Sequence, residues 1–275
     1  MRIFITTMED PIYTNEFIKK IIDKNCNEII GLAVSKPGRF RTKKAYFDIS
    51  YSITLLIIAG FRESLKQIIN IVKFNIKKCL SRKIKWVKSP SIIQFAQERG
   101  IPTWRVKSVN DRHFLQILKE LKPDIIINQA QEILKKDFLS IPRIGVINRH
   151  NSLLPRHRGR VAPFWALYCG EKKTGVTIHF VTEKIDAGEI IVQKEVKIEP
   201  NDTFVTLTRK CYEVAPKAMI EAIEKLRSGK NLEGKKFLKK KGTYHSIPTI
   251  KDALNYRKIL KNKRKHVKSM VDPHT

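Results

Sequence analysis

Three chemically different groups stand at Asn148, His150 and Asp186. The first two lie within Ile147-Asn148-Arg149-His150-Asn151-Ser152-Leu153-Leu154-Pro155, the third in Asp186-Ala187-Gly188. Residues two apart on an extended segment point the same way, so Asn148 and His150 share one side of the strand that Gly145-Val146-Ile147 begins. An amide donates hydrogen bonds, an imidazole with an unperturbed pKa of about 6.5 exchanges a proton near neutrality, and a carboxylate can pair with that imidazole. Nothing in local helix or strand geometry calls for this set. A lone His is more often a hydrogen-bonded structural residue; the company of an amide and a carboxylate argues for proton-coupled chemistry instead.

These groups need a scaffold, and the apolar pattern describes one. Met1 to Thr7 reads as a strand, Thr14 to Lys24 as a helix with Phe17, Ile18, Ile21 and Ile22 at helical spacing, and Glu28 to Ser35 as a second strand ended by Lys36-Pro37-Gly38. Ser91 to Arg99 and His113 to Leu121 read as amphipathic helices. Asp124-Ile125-Ile126-Ile127-Asn128 is the short apolar run of a strand buried on both faces. The alternation predicts an α/β, doubly wound, mostly parallel sheet, with ligands beyond the carboxyl ends of its strands. Thr203 to Arg227 predicts a helix with a break near Pro216, and Ile250 to Leu260 a last helix before a frayed, solvated end from Lys261.

Composition sets wider bounds. The chain has 275 residues, 42% of them hydrophobic, which fits one α/β domain and a small appendage. Its four cysteines have no paired spacing, so a reducing cytoplasm is the default. The N-terminal apolar run is too short for a signal peptide. A net charge of +29 suits RNA, anionic lipid or a nucleotide-linked substrate, although a Lys-, Ile- and Asn-rich composition also follows from an AT-rich genome. His150, His157, His179 and Asp186 match no compact metal motif, and no metal is expected. His157 reads either as charge for a phosphate or as part of a solvated loop, and His179 as structural.

The SLLPRHRG loop, the APFWALYCGEKKTGVTI segment and Asp186 near Gly188 together resemble the catalytic core of the 10-formyltetrahydrofolate-dependent formyltransferases. That family carries Asn-x-His-x-Ser-Leu-Leu-Pro with a downstream Asp near a Gly. The likeness is close from about Pro123 to Gln193 and loose from Met1 to Val34. Two residues depart from it: Arg149 stands at a commonly apolar position, and Asn151 where Pro or Gly is usual. The resemblance implies a formyltransferase-like Rossmann variant with a catalytic domain over residues 1–200, a helical insertion at about 39–88, and a C-terminal helix and basic tail over 201–275.

It implies formyl transfer from 10-formyltetrahydrofolate to an amine. Asn148 would donate to the developing oxyanion, His150 would donate when protonated and carry a proton, and Asp186 would orient the imidazole and order a relaying water. Gln129, Ile133, Leu134, Ser152, Glu183 and Ile185 would hold the folate. Arg39, Arg41, Lys43 and Lys44, with Arg156 and Arg158, would bind the acceptor, as a basic loop does in methionyl-tRNA formyltransferases. The amino group of methionyl-tRNA leads among acceptors, followed by an amino sugar on a nucleotide or lipid carrier, then glycinamide ribonucleotide. Hydrolysis of formyltetrahydrofolate and non-enzymatic binding of RNA or membrane are the other classes. Within the insertion, Leu65, Ile68, Ile69, Val72 and Ile76 alternate with lysines, which fits packed helices or a peripheral contact with an anionic membrane at its cytoplasmic face.

Overall fold

The chain runs from strand β1 (Ile3–Met8) through helix α1 (Thr14–Asn25) to strand β2 (Ile29–Ser35). The insertion supplies α2 (Ala45–Ala59) and α3 (Phe61–Lys83), and α4 (Ile92–Gln97) and β3 (Thr103–Val106) follow. Next come α5 (Arg112–Leu121), β4 (Ile125–Asn128), the short α6 (Lys136–Leu139) and β5 (Gly145–His150). Beyond them lie β6 (Arg158–Gly159), α7 (Ala162–Tyr168), β7 (Lys173–Phe180), β8 (Ile190–Lys197), α8 (Phe204–Arg227), β9 (Tyr244–His245) and α9 (Ile250–Val271). This computed structural model describes residues 1–35, 45–84, 86–229 and 242–271. The Lys36-Pro37-Gly38 turn and the loop residues Arg39, Arg41, Lys43 and Lys44 lie outside the described residues.

Seven strands make one sheet in the order β3-β2-β1-β4-β5-β7-β8, and β6 pairs with β9 apart from it. The first five are mutually parallel, while β7 and β8 join antiparallel. The doubly wound, mostly parallel sheet is therefore as expected. Strand order reverses at β1, whose neighbours are β2 and β4, and such a switch opens a crevice at the strands' carboxyl ends. A polar row crosses the sheet there, with Thr6 beside Asn128, Asn128 beside Asn148, and Asn148 beside His179.

The two-residue period of the strands sorts the core into two layers. Ile3, Ile5, Leu32, Ile125, Ile127 and Ile147 pack on one side with Ile18, Ile22 and the apolar side of α8. Phe4, Ala33, Ile126 and Val146 pack on the other with Phe114, Leu118 and Phe138. Helix α5 starts cleanly because the Asp111 carboxylate accepts from the His113 and Phe114 backbone amides.

The C-terminal part differs from the sequence expectation. Helix α8 runs unbroken through Pro216, which is buried. Leu207, Cys211, Ala215, Met219 and Ala222 are fully buried where α8 meets β7 and β8, and that packing outweighs the one hydrogen bond proline removes. Helix α9 continues to Val271 instead of fraying after Leu260, and it packs on α2 of the insertion. Tyr256 of α9 is fully buried, and its hydroxyl accepts from the Phe204 backbone amide at 2.7 Å, which tethers α9 to the start of α8. Tyr256→Phe is expected to lower stability by about 1–2 kcal/mol, the cost of a buried donor left unpaired. Urea unfolding measures it; an unchanged midpoint would show that the tether carries no weight.

Candidate active site

Strand β5 lies between β4 and β7, and its last residues carry the amide and the imidazole. The His150 ring is buried. Its Nε2 lies 2.8 Å from the His157 carbonyl, and because a carbonyl only accepts, Nε2 carries the hydrogen. Its Nδ1 faces Asp186 Oδ2 at 3.5 Å. The other carboxylate oxygen faces His179 Nε2 at 3.6 Å, and the Gly159 backbone amide donates to Oδ2 at 2.8 Å. Asp186 thus sits between two imidazoles and is held by one backbone N–H. It takes a left-handed backbone (φ 46°), a region Asp tolerates better than most residues. Gly188 follows because a Cβ there would stand 1.8 Å from the Phe180 carbonyl oxygen.

His179 is wholly buried, and burial pushes its pKa down to about 4; the Asp186 carboxylate opposes that shift and His150 adds to it. Its Nδ1 donates to the Phe180 carbonyl at 2.7 Å, so the neutral ring turns a lone pair toward Asp186. Sequence reasoning took His179 as a structural residue. The antiparallel register sets it opposite Asn148.

The orientation of Asn148 follows from donor and acceptor logic. Arg149 Nε donates to Gln129 Oε1 at 3.0 Å, and a guanidinium can only donate. Gln129 must then turn its nitrogen the other way, where it donates to Asn148 Oδ1 at 2.8 Å and to the Asn128 carbonyl at 2.6 Å. Asn148 therefore has its oxygen occupied and keeps Nδ2 as the donor for an incoming group. Arg149 also donates to Tyr212 Oη at 2.9 Å and lies over that ring at 4.1 Å. Its remaining partner is Asn151, so the two residues that depart from the family pattern bond to each other.

The loop after β5 is tied on two sides. Thr177 Oγ1 accepts from the Leu154 amide and donates to the Ser152 carbonyl, and Gln193 Nε2 donates to the Leu154 carbonyl. From the C-terminal side, Thr243 accepts from the His157 and Arg158 amides, and β9 pairs with Arg158 and Gly159. Gly159 has φ +97°, and a Cβ there would lie 2.1 Å from the His245 carbonyl oxygen, so only glycine admits β9 this closely. Held this way, His157 is buried and stacked on His245 at 5.2 Å, and burial lowers both pKa values. It forms no solvated loop, which was one of the two readings the sequence left open.

Two cavities meet at these groups. One, of about 270 Å³, is lined by Ile133, Leu134, Glu183, Ile185, Asp186 and Tyr244. The other, of about 470 Å³, is lined by Tyr13, Tyr51, Leu55, Gln67, Arg149 and Tyr212 among others. Asn148, His150, Gly159 and Arg160 line both. Of the six residues expected to hold folate, four therefore line the first cavity. Gln129 lines the second. Ser152 lines neither: it is fully buried and donates to the Arg156 carbonyl at 2.7 Å, because the loop needs an internal tie where it turns. Arg156 pairs with Glu171 at 2.9 Å, and neither it nor Arg158 lines either of these cavities. Arg160 does, and so do α2 and α3 of the insertion, through Tyr51, Leu55, Ala59 and Gln67.

Comparison with known proteins decides the family. The formyl transferase family model matches residues 55–223, more than half of the chain. The chain belongs to the formyl transferase family. A methionyl-tRNA formyltransferase of Kosmotoga olearia is 41% identical over 146 residues, covering 53% of this chain and 47% of that protein. The chain spans about half the length of the curated relatives it matches. Among solved structures, the phosphoribosylglycinamide formyltransferase from Bacillus halodurans superposes with a TM-score of 0.58 at 21% identity, over 85% of this chain and 99% of that one. The N-formyltransferase from Helicobacter canadensis, solved in complex with folinic acid and dTDP-3-aminofucose, gives 0.55 at 18% identity, over 90% and 71%. These likenesses establish the shared fold.

Burial of a neutral His179 makes stability depend on pH in one direction. The unfolded chain takes up a proton near pH 6.5 that the folded chain refuses until about pH 4. Stability from this group is therefore intact above about 6.5 and lost as pH falls toward 4, by on the order of 3 kcal/mol. His179→Gln is expected to flatten that part of the profile in urea unfolding. A variant as acid-sensitive as the parent would contradict the assignment.

Proposed function

We propose that this chain transfers the formyl group of 10-formyltetrahydrofolate to a primary amine on a phosphate-bearing acceptor. The observation that carries the reading is the shared wall of the two cavities. A folate in one and an amine in the other would meet at Asn148 and His150. Ile133, Leu134, Glu183 and Ile185 would enclose the pteridine.

In this reading the neutral amine attacks the formyl carbon, and the carbonyl electron pair moves onto oxygen. Asn148 Nδ2 donates to that oxyanion, an interaction worth roughly 3 kcal/mol. Collapse breaks the bond from carbon to the folate nitrogen; the amine loses a proton and the folate nitrogen gains one. His150 Nε2 is committed to the His157 carbonyl, so Nδ1, paired with Asp186, is the end that takes up and returns the proton. The chemistry needs no metal.

For the acceptor we favour the amino group of methionyl-tRNA, supported by the relatives of that name and by the +29 charge. Arg39, Arg41, Lys43 and Lys44 would grip its phosphates. A second reading, an amino sugar on a nucleotide or lipid carrier, draws support from the insertion helices in the wall of the acceptor-side cavity. We place the catalytic unit in residues 1–200, completed by the packing of 201–275. The protein would work in the cytoplasm, in peripheral contact with the inner face of an anionic membrane.

Incubation with 10-formyltetrahydrofolate and charged tRNA, amino-sugar nucleotides or glycinamide ribonucleotide tests the reading, and transfer to none of them would overturn it. Asn148→Ala, His150→Ala and Asp186→Ala are each expected to lower kcat on the order of 100-fold or more with the fold retained. Gln129→Glu is the sharper probe. A carboxylate there still accepts from Arg149 but cannot donate to Asn148, so the Asn148 amide turns its oxygen toward the substrate. The expected result is a fall in kcat with little change in KM, and no further fall when Asn148 is already Ala. Full activity of Gln129→Glu would break the proposed orientation.

A further inference from the structure

Helix α3 is 23 residues long, and much of its apolar surface is exposed. Phe61 (76% exposed), Leu65, Ile68, Ile69, Val72, Ile76 and Leu80 recur at three- and four-residue steps and form one exposed stripe. Glu63, Ser64, Gln67, Phe74, Lys78 and Ser81 are its less exposed positions, and Lys78 pairs with Glu9 of the body. Arg62, Lys66, Lys73 and Lys77 follow one flank of the stripe at helical spacing, while Glu63 is the helix's one acidic residue. Trp86, 84% exposed, stands just beyond its end. Among the described residues no helix is long and apolar enough to cross a membrane, so this stripe can lie on a bilayer but cannot span it.

We propose that α3 and Trp86 form a docking face for an anionic lipid surface. Charge complementarity selects this occupant. An apolar stripe bordered by lysines inserts among acyl chains while the ammonium groups meet headgroup phosphates, and an indole at the end sits at the interface. A second copy of this chain fits poorly, because two such faces would bring like-charged flanks together on proteins that each carry +29. The same helix supplies Gln67 to the wall of the acceptor-side cavity, so docking would hold that cavity close to the membrane. The docking face itself does not depend on the formyl-transfer reading.

The test is co-sedimentation of the full chain with vesicles of phosphatidylcholine alone and of phosphatidylcholine with phosphatidylglycerol. Binding is expected to the anionic vesicles only, with release at high salt and a blue shift of Trp86 fluorescence that is absent in Trp86→Phe. Reversal of Lys66, Lys73 and Lys77 to Glu should weaken binding by more than fivefold per lysine, since each basic residue near such a surface contributes about fivefold. Ile68→Asp with Val72→Asp and Ile76→Asp, all at exposed positions, should abolish binding and leave thermal stability and soluble transfer unchanged. Retention of binding in the triple Asp variant would reduce the effect to adhesion of a basic protein and overturn the proposal. A lipid-free dimer dissolved by the same variant would overturn it too, by assigning the stripe to a second copy.

Discussion

Everything at the candidate site hangs on the pairing of β5 with two different neighbours. On one side it runs parallel to β4, which sets Asn148 beside Asn128; on the other it runs antiparallel to β7, which sets it beside His179. The change of direction matters. A parallel neighbour would reach the site only after a long crossover, whereas the β7–β8 connection returns at once, carrying Asp186 over the end of β5. The carboxylate then needs a left-handed turn, a glycine two residues later, and a backbone amide to hold it, and the chain supplies all three.

That frame is reinforced from a distance. The amide on Asp186 belongs to Gly159, and Gly159 is positioned by β9, which is 85 or more residues further along the chain. In the other direction, Arg149 fixes Gln129 and Gln129 fixes Asn148, a chain of donors whose sense is set by a group that cannot accept. Each link in that chain of donors meets an acceptor, and links so satisfied specify one geometry. The orientation of the reactive amide thus depends on a residue that never touches the substrate in the proposed reaction.

The apolar periodicity made the sheet and its helices legible, because strand and helix spacing are local properties. Asn148, His150 and Asp186 were legible through their types and through resemblance, and the structure does bring them together. The pairings that turn them into a site were not legible. No spacing in the sequence shows that Thr243 ties down His157, that His179 faces Asp186, or that Arg149 and Asn151 are partners. Ser152 illustrates the converse. Its place in a recognisable motif suggested ligand contact, but a serine at a tight turn also serves the backbone, and here its hydroxyl does so. The insertion was read as an addition because it interrupts the family pattern, yet α2 packs on α9 and its Tyr51 lines a cavity.

In the proposed reaction the two cavities hold the one-carbon donor and the amine on opposite sides of Asn148. A crystal structure with 5-formyltetrahydrofolate, a stable isomer of the proposed donor, addresses that arrangement most directly. The pteridine is expected between Ile133–Leu134 and Glu183–Ile185, with the folate's reactive end directed at Asn148 Nδ2 and the cavity beside Tyr13 and Tyr212 left open. A pteridine lodged against Tyr13 and Tyr212, or bound with that end away from Asn148, would contradict it.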